Sequence, residues 1–334
     1  MPRLFTPRLS VSLAAVALAA QAASAQSPEE ITVAYFVEWP LPFEAAKVDG
    51  TFEKELGVKV NWRSFDTGVA MSAAAAAGDV QFLISQGVPP FVTATSAGQD
   101  LKAIDIAVSY SDNDNCVART DLEITKDNAA TELAGKKVGV PIGTAAHYGF
   151  LKQIAHFGVK PDQLQVVDMA PPDAAAAIAQ GNIDVFCGWG GSLARAKEYG
   201  NILLTGAEKE ELGIRIFDVI SAPGAFAAEN PDLTAKFLKV LNDQNAAYLA
   251  APEGFIPVLA KDSGLDEAAT REQLAGFTLP TVEEKLSGKW LGGGLQTYLK
   301  EVADFFVSTG NIPAALDSYE GAVDASHLKA ASEL

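Results

Sequence analysis

The chain carries one strand–helix–strand–helix–strand unit twice. The first copy reads ITVAYFVEWP…FEKELGVKVNWRSFD…AMSAAAAAGDVQFLISQG, and the second KKVGVPIGTAAHYGFLKQIAHFGVKPDQLQVVDMAPPDAAAAIAQGNIDVFCGWGG. Each runs from an apolar strand through a helix to Gly-Val-Lys (Gly57–Lys59, Gly158–Lys160). A second strand, an alanine-rich helix, Gly-Asp or Gly-Asn and a third strand follow. Alternating strands and helices with short connections make a parallel sheet covered by helices. The matched Gly-Val-Lys and alanine helices favour duplication over two unrelated βαβ units. The chain is therefore expected to be α/β, with two lobes, each a wound, mostly parallel sheet with flanking helices and a cleft between them. In such sheets ligands bind beyond the carboxyl ends of the strands. That rule selects Phe36–Pro40, Ser64–Gly68 and Ile84–Val88 in one lobe, and Ile142–His147, Met169–Asp173 and Gly188–Ser192 in the other.

The rest of the chain fits around this core. Arg3 and Arg8 precede the apolar run Val11–Ala20, and Ala23-Ser24-Ala25 suits a signal-peptide cleavage site. Residues 1–25 are read as a signal peptide, leaving an exported chain of about 309 residues, enough for two cores. SYSDNDNCVART (109–120) reads as a crossover. The expected domains are 26–112 with 225–334 for lobe one and its C-terminal helices, and 113–224 for lobe two. Net charge is −17, about −19 without Arg3 and Arg8, and there is no basic cluster. Nucleic acid and anionic membranes would be repelled. Of the two cysteines, Cys116 and Cys187, one disulfide is the economical reading in an exported chain, with two buried thiols the alternative. The three histidines have no ligand-like spacing to either cysteine, so no metal or other cofactor is expected.

Several residues carry candidate binding chemistry. Gly143-Thr144-Ala145-Ala146 opens a helix after a strand; Thr144 can cap it, and the small residues admit an oxyanion to the backbone N–H groups. A plain N-cap is the simpler alternative. His147 in the first turn either donates to that anion or is structural. Glu38-Trp39 would hold an ammonium by carboxylate and indole face, unless the loop is merely exposed. Trp189 occupies the matching loop of the second copy. Asp218 interrupts the apolar run IFDVIS and is either paired or aimed at a ligand, and Ser85 and Gln86 offer a hydroxyl and an amide. The best enzyme-like pair, Cys187 with His147, lacks any recognised catalytic motif around it.

These residues also carry a likeness. ITVAYF, WRSFDTG, AAAAGDVQF, GKKVGVPIGTAAHY, VVDMAPPDAAAAIAQGNIDVFCGW and FDV resemble the taurine-type solute-binding proteins of bacterial ABC importers, a group that includes binders of nitrate, alkanesulfonates and thiamine precursors. The resemblance implies a type II periplasmic-binding-protein fold without enzyme activity, expected to be a periplasmic monomer. Such a protein closes on a small ligand and delivers it to a membrane permease with an ATPase. For taurine, Gly143–Ala146 would take the sulfonate, Glu38 and Asp218 the ammonium, and Trp39 and Trp189 would bracket the alkyl chain. Two stretches depart from the pattern, CGWGGSLARA and FVEWPLP. On this fold a Cys116–Cys187 disulfide would brace lobe two.

Overall fold

A computed structural model describes residues 28–334. The expected signal segment, residues 1–25, lies outside that range.

The repeat is visible in three dimensions. In the first copy β1 (Glu30–Tyr35) lies between β2 (Lys59–Ser64) and β3 (Phe82–Gly87), parallel to both. In the second, β6 (Lys137–Val140) lies likewise between β7 (Gln165–Asp168) and β8 (Val185–Trp189). The paired Gly-Val-Lys motifs explain themselves here. Gly57 and Gly158 take φ of 70° and 73°, ending a helix in the left-handed conformation that glycine adopts without steric cost; β2 follows two residues after Gly57, and β7 follows Gly158 after a short 3-10 turn at Pro161–Gln163.

Each sheet is completed by two more strands in the same arrangement. The first has the order β2-β1-β3-β10-β4, with β4 at Leu101–Ser109 and β10 at Phe217–Pro223. The second has the order β7-β6-β8-β5-β9, with β5 at Asp114–Arg119 and β9 at Gly200–Ile202. β10 runs antiparallel to both neighbours, and so does β5, so each sheet has a single reversed strand. The lobe boundary expected at 224 is corrected by this pairing. Phe217–Pro223 belongs to the first sheet, between β3 and β4, and the chain has already returned from the second lobe when β10 begins. Its first six residues are all buried, as a central strand requires, but no local pattern says which of two sheets it will enter.

The C-terminal helices pack mainly on the first lobe. Phe237 of the Pro231–Ala250 helix stacks on Phe82 of β3, centroids 4.0 Å apart. Lys285 forms a fully buried ion pair with Asp105 of β4 at 3.1 Å, and Asn242 bonds to both. The Gly294–Ser308 helix reaches the second lobe as well, placing Phe306 against His147 and Tyr148. Cys116 and Cys187 face each other across the β5–β8 pair and form a buried disulfide.

Candidate functional site

The selected loops meet where the two sheets face each other. Between them lies a tight cavity of about 20 Å³ lined by Phe36, Trp39, Gly68, Gly87, Pro90 and Tyr110 with Asp218 from the first sheet's side, and by Thr144, Ala145 and Trp189 from the second. Phe36 and Trp189, 6.0 Å apart, also wall an outer recess of about 100 Å³.

Asp218 is the negative pole. Its carboxylate accepts hydrogen bonds from Ser85 Oγ at 2.6 Å and Tyr110 Oη at 2.5 Å. Trp39 Nε1 donates to the same Ser85 hydroxyl at 2.9 Å. Trp39 is itself fixed between the rings of Tyr110 and Phe277, at 4.7 and 4.6 Å. Ser85 is held at φ 62°, an uncommon conformation for a residue with a side chain. Burial pushes Asp218 up to about 7; the Ser85 and Tyr110 bonds pull the other way, and the buried Asp114 carboxylate adds to the rise. A carboxylate so placed gains most from a cation brought into contact with it.

The positive pole is the start of the Ala145–His156 helix. Thr144 caps it as expected, its Oγ1 accepting from His147 N at 3.3 Å and donating to Pro141 O at 2.6 Å. The N–H groups of Ala145 and Ala146 have no intrahelical acceptor, and the helix dipole adds partial positive charge there. The two poles are close. A methyl placed on Gly87 would lie 3.5 Å from Asp218 Oδ1 and 3.6 Å from the Ala145 methyl, so that oxygen and the Ala145 methyl at the helix start are at most about 7 Å apart.

Of the residues expected from the sequence, Trp39, Thr144, Ala145, Trp189 and Asp218 line the cavity, and Ser85 stands directly behind Asp218. Gly143 does not line it; at φ 79° it shapes the turn, and its N–H is directed to His147 Nδ1 at 3.3 Å. His147 does not line the cavity either. It is buried beside Phe306, and burial lowers it to about 4, so the ring is neutral at physiological pH. Gln86 points into the first lobe, bonded to Ser72 and Ser221. Glu38 is the largest correction: it borders the outer recess, not the inner cavity, and Arg195 occupies its carboxylate. Phe36, Gly68, Gly87, Pro90 and Tyr110 were not singled out by sequence reasoning, although Phe36, Gly68 and Gly87 lie in the loops selected by the strand-end rule. Tyr110 had only one cue, an aromatic at the mouth of the crossover.

Two like-built lobes closing on a cleft at their strand ends define a two-lobe periplasmic-binding-protein fold. The chain belongs to the NMT1/THI5-like family, whose sequence profile matches residues 41–254. It is 29% identical over 295 residues to the taurine-binding periplasmic protein of Escherichia coli K12, covering 86% of this chain and 89% of that one. The alkanesulfonate-binding protein SsuA of Xanthomonas axonopodis pv. citri, solved with MOPS, shares the fold with a TM-score of 0.73 at 20% identity, covering 89% and 98%. The desulfurization enzyme DSZB has the same architecture, with a TM-score of 0.63 at 14% identity, covering 92% and 99%.

Proposed function

We propose that this chain is the substrate-binding component of an ABC importer, capturing taurine or a closely similar small sulfonate zwitterion in the periplasm for delivery to a permease with its ATPase. One observation carries the reading: a buried carboxylate, Asp218, and a helix start at Thr144–Ala145 line the same cavity a short span apart. Taurine has an ammonium and a sulfonate separated by two methylenes. The ammonium would replace the missing counter-charge of Asp218, while the sulfonate oxygens accept from the helix N–H groups. Trp39, Phe36 and Trp189 supply the apolar wall for the methylenes. A zwitterion brings no net charge into the buried site, which limits the cost of desolvation.

The kinship with a taurine-binding protein supports the class of ligand. An enzymatic role has less to stand on: the candidate nucleophile Cys187 is in a disulfide and His147 is built into a turn. The test is calorimetric titration of ligand-stripped protein with taurine, ethanesulfonate and β-alanine. Tight binding of taurine with weak binding of both others is the expected result. Equal affinity for ethanesulfonate and taurine would reject the carboxylate–ammonium contact, and no heat with taurine would reject the ligand.

A further inference from the structure

The two sequence stretches that depart from the family pattern touch each other across the cleft. Glu38, in the loop after β1, takes φ 55° and donates its N–H to Ser263 O at 2.8 Å. Its carboxylate receives both guanidinium arms of Arg195, at 2.9 and 3.0 Å, from the Gly190–Lys197 helix of the other lobe. Arg195 is steadied by a further bond to Ser192 Oγ at 3.0 Å. The Gln273 amide, oriented to satisfy both groups, donates to Glu38 O and accepts from Gly191 N, each at 3.1 Å. The glycines make this approach possible. A methyl on Gly190 would stand 2.8 Å from Glu38 O, and one on Gly191 2.8 Å from Glu38 Oε2. Immediately adjacent in sequence, Trp39 and Trp189 line the ligand cavity.

We propose that Glu38 and Arg195 form an interlobe clasp that is made only when the cleft shuts and that sets how long a captured ligand is retained. The pair are positioning residues, one step removed from the ligand. Bidentate Arg–carboxylate geometry gives the closed state a directional bond, and the glycine pair gives it a close-fitting seat. Both side chains are partly exposed, Glu38 at 30% and Arg195 at 45%, so solvent screening keeps the effect moderate. The idea rests on the two-lobe capture reading, but not on the identity of the ligand.

The experiment compares the unaltered protein with Glu38→Gln, Arg195→Met, the double variant and Gly191→Ala. Spin labels at Lys54→Cys and Lys160→Cys report the distance between lobes without ligand, and tryptophan stopped-flow reports taurine kinetics. Each single variant should shift the distance distribution towards open. Each should also speed taurine dissociation by about three- to tenfold while leaving association within about twofold. The double variant should be no worse than either single, because each removes the same contact. Gly191→Ala should reproduce the effect with both charges in place. Unchanged distances in both single variants, or additive losses in the double, would overturn the clasp. If taurine gives no signal with the unaltered protein, the ligand assignment fails, while the distance measurement still decides the clasp.

Discussion

Replacing Asp218 by Asn should weaken taurine binding by about 100- to 1000-fold, roughly 3–4 kcal/mol, and leave ethanesulfonate unchanged or improved. The asymmetry follows from burial. Asp218 is 2% exposed, its carboxylate is met only by the neutral donors Ser85 and Tyr110, and Asp114 lies near enough to raise its proton affinity. An ammonium therefore enters a site with an uncompensated negative charge, whereas a ligand without one must face that charge unpaired. Asn keeps the shape and removes the attraction. Titration of both ligands against both proteins checks it; equal losses would mean that Asp218 acts on the fold and not on the amine.

The same carboxylate predicts a pH dependence with a definite sign. Taurine keeps its two charges through the neutral range, so the protein sets the slope. With Asp218 raised to about 7, its protonated form dominates below that pH and must lose a proton before it can pair with an ammonium. Affinity should fall as pH drops below about 7, approaching tenfold per unit, and binding there should release a proton. Calorimetry in buffers of different ionisation enthalpy measures that release directly.

Removing the disulfide, as Cys116→Ala with Cys187→Ala, should cost about 4 kcal/mol of stability, with a fall in melting temperature on the order of 10 °C. The estimate comes from chain entropy, since the bond closes a loop with a sequence separation of 71. That loop contains β6 and β7 and ends within β8, so it spans much of the second sheet. Taurine affinity should change less than stability, because Cys187 lies two residues behind Trp189 and neither cysteine lines the cavity. Denaturant titration of both forms is the check, and unchanged midpoints would show that β5–β8 pairing alone holds the lobe. Alkylation of the unfolded, unreduced protein should find no free thiol.

The duplicated unit made most of the architecture legible, because strand and helix periods are local and the repeat supplies each twice. Thr144 was legible for the same reason: an N-cap needs only its own helix. Glu38 was misread because its partner, Arg195, is 157 residues away on another lobe. A carboxylate beside a tryptophan looks identical in sequence whether an ammonium ligand or a guanidinium completes it. Gln86 failed similarly, its amide being satisfied by Ser72 and Ser221 within the lobe. The place of Asp218 on the cavity wall was readable because a carboxylate inside an apolar strand has few ways to be tolerated. Its strand's membership of the first sheet was not, since a buried antiparallel strand carries no mark of its neighbours.

That membership dictates an order of events in time. β3 and β4 are joined side by side only through β10, and the entire second lobe is threaded between β4 and β10. The centre of the earlier lobe must wait for the later one to pass. The second sheet is made wholly from residues 114–202, a contiguous stretch, and can assemble as soon as it exists. Local closure is faster than closure over a long intervening chain. The lobe begun first should be finished last: in pulsed hydrogen exchange during refolding, β6 and β8 should become protected before β3 and β4, and the reverse order would refute it.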